Sequence, residues 1–240
     1  MTLDEILVSL FPAGCEVRSE NGRIAGQGDL ANGRRVHVLG LSHGVALGID
    51  DAAILAGQVL EIARTADGTP ILILIDSSSQ RMSRRDELLG LNEYLAHLAK
   101  SLLLAEHEGH RTIGLLYGGS AAGAFIATAL ATGTLVALPG AHPEVMDLPS
   151  MARVTKLSID LLREKAKATP VFAPGLDNLA RMGAVHEIWD PERPLATQLE
   201  ALLARPAGED SRDVLGQQRN GRPKAAAIAA RVAQRAQSDA

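Results

Sequence analysis

Hydrophobic residues recur along this chain either at helical spacing or in short unbroken runs. In residues 3–10, leucine and isoleucine recur at helical spacing around Asp4 and Glu5, which predicts an opening helix. Three apolar runs, at 71–75, 112–117 and 135–139, contain no charged residue. Such runs are typical of strands that are buried on both faces of a sheet.

Helical patterns separate these strands. One begins at Asp50 or Asp51, which would cap it, and ends near Arg64, and another extends from Asp86 to about Glu108 after a polar loop. Strands that alternate with helices indicate an α/β protein with a mainly parallel sheet. Two further apolar runs, 35–41 and 45–49, are separated by a short turn, and we expect them to pair with each other as strands.

The pattern changes after residue 150, where it becomes mostly helical with interruptions at 170–174 and 185–189. Residues 205–223 are rich in Gly, Pro, Arg and Asp without periodicity, so we interpret them as a linker. Residues 224–237 are rich in alanine and predict a short basic helix.

Composition sets the class of protein. The 240 residues are 46% hydrophobic and 22% charged, which is typical of a globular chain, and the length suits one large domain with a small appendage. We expect that domain over residues 1–205 and a linker with a basic tail over residues 206–240. The net charge of −4 and the scarcity of aromatic residues argue against binding to nucleic acid.

The single cysteine, Cys15, excludes an intrachain disulfide and a metal site built from several cysteines. No uncharged stretch reaches 18 residues, and the first residues lack the pattern of a signal peptide. We therefore expect a cytoplasmic protein with no membrane partner.

The most informative segment follows the run at 112–117 and joins a strand directly to an alanine-rich helical stretch. Its candidate catalytic residues are Gly118, Gly119, Ser120 and Ala121, and Gly123 is a candidate for substrate binding. Unpaired N–H groups at such a junction can bind an anion or an oxyanion, and glycine lets a ligand approach the backbone closely. Alternatively, the small residues only let the helix pack tightly on the sheet.

Three known motifs can be compared with this segment. A phosphate-binding loop would need lysine where Ala124 stands, and a dinucleotide-binding fingerprint would need glycine where Ser120 stands. The segment loosely matches a nucleophile elbow. A serine hydrolase with Ser120, Asp177 and His186 is therefore one alternative, although His186 lies within a predicted strand and Asp177 is only nine positions before it.

A polar cluster at the end of the run 71–75 forms a second candidate region for substrate binding. Parallel sheets bind ligands outside the carboxyl ends of their strands. The candidates are Asp76, Ser77, Ser78, Ser79 and Gln80, although the Asp76 side chain can instead cap the following turn. His142 also follows a strand end and is a further candidate; the histidine spacings predict no metal site.

The sequence resembles a known family along most of its length. The run 70–76, the polar loop, the long helix, the next strand and the segment 118–124 are similar to the carboxyltransferase α half of acyl-CoA carboxylases, in the crotonase-like superfamily. The continuation Leu-Pro-Gly-Ala-His-Pro-Glu-Val-Met at 138–146 makes residues 3–205 more similar to γ subunits of biotin-independent malonate decarboxylases. The resemblance implies a crotonase-like (ClpP/crotonase) α/β fold with repeated ββα units and a helical C-terminal part.

The resemblance also implies partners and a reaction. A β subunit of related fold would pair with this chain, and together they would decarboxylate a malonyl thioester, carried on the prosthetic group of an acyl carrier protein subunit, to the acetyl thioester. Loss of CO2 leaves an enolate that backbone N–H groups stabilise, so we expect no cofactor bound by this chain. The loop 77–80 departs from the carboxylases, so no biotin site is carried over. A non-catalytic scaffold subunit is the remaining alternative.

The basic tail has one further implication. From Ser211 onward the sequence contains six basic residues and only two acidic residues, Asp213 and Asp239. Because acyl carrier proteins are generally acidic, the tail is expected either to steer the carrier toward the site or to be only a solvated chain end. The basic residues are Arg212, Arg219, Arg222, Lys224, Arg231 and Arg235.

Overall fold

The computed structural model describes residues 1–168, 170, 174–206, 208 and 210–238. The strands are β1 (Cys15–Glu20), β2 (Arg23–Asp29), β3 (Arg35–Leu47), β4 (Ile71–Gln80), β5 (Thr112–Leu116), β6 (Gly119–Ala121), β7 (Thr134–Ala137), β8 (His142–Glu144) and β9 (Glu187–Ile188). The helices are α1 (Leu3–Leu10), α2 (Ile49–Ala63), α3 (Arg84–Leu88), α4 (Leu91–His107), α5 (Ala122–Ala127), α6 (Leu148–Thr155), α7 (Ile159–Ala168), α8 (Leu176–Arg181), α9 (Leu195–Ala204), α10 (Arg212–Gln218) and α11 (Ala225–Ser238).

Seven strands form one sheet in the order β1-β2-β3-β4-β5-β7-β9. The pairs β1–β2 and β2–β3 are antiparallel, and all pairs from β3 to β9 are parallel, which confirms the predicted α/β class. A separate parallel pair, β6–β8, lies beyond the end of this sheet. No helix in the described residues is long and apolar enough to cross a membrane.

The side chains of β4 alternate between two hydrophobic cores, as a strand buried on both faces requires. Ile71, Ile73 and Ile75 pack with residues of α2 and α4 on one face of the sheet. Leu72 and Leu74 pack with residues of α1 and α9 on the other. The central strand is therefore fixed from both sides, and its carboxyl end has a defined position.

Two predictions for the first half of the chain were wrong. The runs 35–41 and 45–49 do not pair with each other, because 35–47 is one strand that pairs with β4 on both sides of a register shift. His43 and Gly44 both have a φ of 61°, which bends the strand without reversing it. The antiparallel partner of the first run is β2, and α2 is capped at Gly48 and not at either aspartate.

The polar stretch after the apolar run 71–75 was predicted to be a loop, and its first residues instead form part of a strand. Residues 77–80 continue β4, because β3 extends beside them and pairs Val45 with Ser77 and Leu47 with Gln80. The helix predicted from Asp86 is divided into α3 and α4 at Gly90, which has a φ of 85°. The opening helix α1, the strands β5 and β7, and the helix α11 are confirmed.

The segment predicted to be a linker contains helix α10, which is attached to the rest of the fold. The Arg212 guanidinium donates to the Leu130 carbonyl at 2.8 Å, and that of Arg219 donates to the carbonyls of Ala180 and Val185 at 2.7 Å. These bonds depend on residues far away in sequence, so periodicity does not reveal them. Of the predicted interruption at 170–174, residues 171–173 lie outside the described residues, as does Asp239.

Candidate active site

A cleft of about 560 Å³ lies where β4, β6 and β8 end, outside the carboxyl end of the main sheet. It brings together both candidate regions of the sequence. The residues that line it are Ser77, Ser78, Ser79, Gln80, Gly119, Ser120, Ala121, Ala122, His142, Glu144, Val145, Met146, Asp147 and Ser150. Three predicted site residues, Asp76, Gly118 and Gly123, do not line the cleft but contact residues that do.

Asp76 holds two backbone segments together beside the cleft. Its carboxylate accepts the N–H of Gly44 at 3.2 Å and the N–H of Gly119 at 3.1 Å. A Cβ on Gly118 would lie 2.1 Å from Asp76 Oδ1, so only glycine fits there. Burial and the Asp76 carboxylate raise the pKa of Tyr117, which stays protonated. Asp76 therefore caps backbone N–H groups, although those of other strands and not of the following turn.

Gly119 forms part of the wall between β4 and β8. A Cβ on this residue would lie 2.8 Å from the Ser77 carbonyl oxygen and 2.8 Å from His142 Nε2. The first of these neighbours is backbone and cannot move aside. The absence of a side chain at Gly119 therefore lets β4 and β8 approach each other and keeps the cleft open.

The pairing of β6 with β8 determines which N–H groups of β6 point toward β8 and which point away from it. His142 N–H donates to the Gly118 carbonyl at 3.1 Å. This bond fixes which residues of β6 direct their N–H groups toward β8. Alternate N–H groups of a strand point in opposite directions, so those of Gly119 and Ala121 face away from β8. Gly119 N–H binds Asp76, whereas no side chain or loop of the described residues accepts the Ala121 N–H.

The first turn of α5 is fixed by a side chain from β4. Gln80 Oε1 accepts the Gly123 N–H at 2.9 Å, so Gly123 is bound to the protein's own amide. Ala122, which precedes it, has a φ of 50°, a left-handed conformation that costs a residue with a Cβ about 1–2 kcal/mol. This sharp turn sits at the cleft wall and is held by the Gln80 contact.

Ser77 and Ser120 form a hydroxyl pair in the floor of the cleft, with their Oγ atoms 3.0 Å apart and each residue 1% exposed. His186, in contrast, accepts the Leu135 N–H through Nδ1 and lines a different cavity beside Trp189. Burial lowers the pKa of His186. The described structure therefore does not join Ser120 and His186 into the hydrolytic triad.

One part of the cleft, the segment after His142, was not predicted from the sequence. Burial, followed by the charge of Asp147, raises the pKa of Glu144. The carboxylate of Asp147 accepts the Ser150 N–H at 2.7 Å and caps α6, which holds its own pKa low. The sequence does contain one signal for this segment: it directly follows the candidate His142. A strand that begins at His142 places the next residues beside the same cleft.

The malonate decarboxylase gamma subunit family model matches residues 42–236. A relative from Malonomonas rubra, the malonyl-S-ACP:biotin-protein carboxyltransferase MADD, is 27% identical over 202 residues, which cover 77% of this chain and 68% of that protein.

Solved structures show the same similarity over nearly the whole chain. A Pseudomonas malonate decarboxylase hetero-tetramer in complex with coenzyme A is 25% identical, with a TM-score of 0.76, over 97% of this chain and 98% of the other. The Pseudomonas MdcD–MdcE hetero-dimer is 27% identical, with a TM-score of 0.73, over 96% and 98%. The transcarboxylase 12S core, 19% identical with a TM-score of 0.66 over 85% and 42%, shares the fold. These similarities confirm the predicted crotonase-like fold.

Proposed function

This chain belongs to the family of malonate decarboxylase gamma subunits, and we propose that it decarboxylates the malonyl thioester of an acyl carrier protein together with a beta subunit of related fold. The product is the acetyl thioester. One observation carries the proposal: the cleft at the carboxyl end of the sheet is bordered by a glycine-containing junction at which no side chain or loop of the described residues accepts the Ala121 N–H.

The chemistry requires stabilisation of negative charge. When CO2 leaves, the electron pair of the broken C–C bond spreads onto the thioester oxygen as an enolate. A fixed N–H donor aimed at such an oxygen is worth about 3–4 kcal/mol. The Ala121 N–H fits this role, because the Gly119 N–H is bound by Asp76 and that of Gly123 by Gln80.

The charges of the cleft favour loss of the carboxylate. Among the described residues that line it, none is lysine or arginine, whereas Glu144 and Asp147 are acidic. A cation that paired with the substrate carboxylate would stabilise the reactant more than the transition state, in which this charge is leaving. A cleft without such a cation suits decarboxylation.

Exposed apolar side chains support a partner at this cleft. Met82 and Leu88, on the segment after β4, are 77% and 75% exposed. Val145, Met146 and Val154, on the segment after β8, are exposed as well. Exposed apolar side chains on the segments that follow two strands of a cleft are typical of a surface that another subunit covers. The similar Pseudomonas malonate decarboxylase structure is likewise a hetero-dimer, of the subunits MdcD and MdcE.

The test is CO2 release from the malonyl thioester of the carrier protein by this chain, by the beta subunit and by their mixture. We expect only the mixture to be active, because an obligate interface buries on the order of 2,000 Å² or more and completes the site. Sedimentation of each sample checks the assembly. Full activity of the isolated chain contradicts the shared site, and full activity of the beta subunit alone supports the scaffold alternative.

Carboxyl transfer to biotin is a second candidate, because the Malonomonas rubra relative is a carboxyltransferase to a biotin protein. Both reactions begin with the same enolate, so the cleft serves either. Adding avidin, which sequesters biotin, separates them. Turnover that is unchanged by avidin supports direct decarboxylation, whereas turnover that stops supports transfer.

The Ser120 hydroxyl is expected to contribute little to turnover. Ser120→Ala removes one member of the pair with Ser77 but leaves the backbone N–H groups in place. We expect kcat to fall by about tenfold or less, whereas loss of a nucleophilic serine lowers it by on the order of 10⁴-fold or more. Steady-state kinetics of the complex measure the difference, with Ser158→Ala in the segment before α7 as the control. A fall of the larger size would restore the hydrolase alternative.

The tail prediction becomes more specific with the structure. Arg212 and Arg219 hold α10 in place, so the charges available for steering are Arg222, Lys224, Arg231 and Arg235 on or before exposed α11. Replacing these four with glutamine is expected to raise KM for the carrier-bound substrate at low salt, with a smaller difference at high salt. A short malonyl thioester serves as the control. If both substrates respond alike, the tail does not steer.

A further inference from the structure

The enolate left by the proposed decarboxylation must gain a proton, and one carboxyl group in the cleft is placed to supply it. Glu144 is the last residue of β8 and is partly buried in the cleft wall. Its register partner across the β6–β8 pair is Ala121. We propose that Glu144 is the general acid that protonates the α-carbon of the enolate; this inference rests on the proposed function.

Strand geometry places Glu144 beside the enolate site. Side chains two residues apart on a strand share a face, so Glu144 and His142 lie on the same face of β8. This face borders Gly119, because His142 Nε2 would lie 2.8 Å from a Cβ on Gly119. Ala121, the register partner of Glu144, shares this face of the strand pair and lines the same cleft.

The charges around Glu144 favour its protonated form when substrate binds. Burial and Asp147 raise the pKa of Glu144, and His142 lowers it. Strands β4 and β6 place only serine, glutamine and small residues around the cleft, and the charged residues of α8, which packs on β8, are Asp177 and Arg181. The substrate adds a further carboxylate to a cleft that no lysine or arginine lines in the described structure, so binding promotes proton uptake.

The proton balance of the step is simple. The C–C bond to the carboxylate breaks and releases CO2, and its electron pair becomes the enolate. That pair then forms the new C–H bond with the proton of the Glu144 carboxyl group, which is left as a carboxylate. Water returns a proton to Glu144, so one proton from solvent is consumed for each CO2 released.

The reverse of this protonation provides a test that does not involve CO2. The complex of this chain with its partner subunits is incubated with the acetyl thioester of the carrier protein in D2O, and deuterium entry at the methyl group is measured. We expect exchange by the wild type and a loss of about 10²-fold or more in Glu144→Gln. CO2 release falls less, because water can protonate the enolate. The matched control is Glu16→Gln on the exposed strand β1, distant in sequence from the cleft.

A second measurement keeps Glu144 in place. Exchange requires the carboxylate form of Glu144 to remove a proton, so the exchange rate increases as pH rises through the pKa of Glu144. Asp147→Asn keeps the cap of α6 but removes a negative neighbour, which lowers this pKa and moves the increase to lower pH. His142→Gln moves it to higher pH.

The outcomes separate the two proposals. Glu144→Gln with exchange within threefold of the wild type overturns the role of Glu144, as does an unchanged pH profile in Asp147→Asn or a wild-type complex that releases CO2 but exchanges no deuterium. A wild-type complex that releases no CO2 from the malonyl thioester overturns the proposed function itself, and that assay does not depend on Glu144.

Discussion

Gly119→Val is expected to lower CO2 release by the complex by about 10³-fold while the chain still folds. A Cβ at this position would lie 2.8 Å from the Ser77 carbonyl oxygen and from His142 Nε2. His142 is an exposed side chain and can turn away, but Ser77 is held in β4 beside β3. The two valine methyl groups must therefore occupy the cleft, which takes space from the substrate, or push β6 away from β4, which displaces the Ala121 N–H.

Two measurements separate loss of the site from loss of the fold. Thermal unfolding reports stability, for which overpacking of this kind costs about 1–3 kcal/mol. The matched control is Gly57→Val in α2, where no atom lies within 4 Å of the added Cβ. We expect this control to retain both stability and activity. A folded Gly119→Val complex with wild-type kcat would show that the chemistry occurs elsewhere.

Asp76→Ala is expected to produce the second largest effect, a fall in kcat of about 10²-fold with little change in KM. The carboxylate is the only acceptor that the structure describes for the N–H groups of Gly44 and Gly119. Without it both donors lose their partner, and we expect the free energy of unfolding to fall by about 2–3 kcal/mol. The fall in kcat has a separate cause: Gly119 is two residues before Ala121, so any movement of β6 misaligns the proposed donor.

Asp76→Asn and Asp29→Ala complete this experiment. Asparagine keeps one acceptor oxygen but turns an N–H group toward the second backbone donor, so an intermediate loss of activity is expected. Asp29, at the end of β2, is exposed and paired with Arg35 at the start of β3. Removal of its side chain should therefore leave both kcat and the free energy of unfolding unchanged. If Asp76→Ala lowers the unfolding temperature but leaves kcat at the wild-type value, Asp76 supports the fold without positioning the site.

The sequence by itself determined the class of fold and predicted two candidate regions for a site. The apolar run 71–75 is too short for a helix spanning the core and too hydrophobic for a surface strand, so its burial on both faces followed from composition. The polar cluster 76–80 and the glycine-containing segment 118–123 each follow such a run. Parallel strands bring their carboxyl ends to one edge, which is why both regions were expected near a single site.

Only the tertiary structure decided what each residue in those regions contacts. Asp76 binds the Gly119 N–H and Gln80 binds the Gly123 N–H, each across 43 positions of sequence. Periodicity reports local conformation and holds no information about such contacts, which depend on how β4 and β6 approach each other. The same limit hid Glu144, because its place in the cleft comes from the register of β8 on β6. The sequence located the two segments, and the pairing of β6 with β8 places the two proposed residues, Ala121 and Glu144, opposite each other in the cleft.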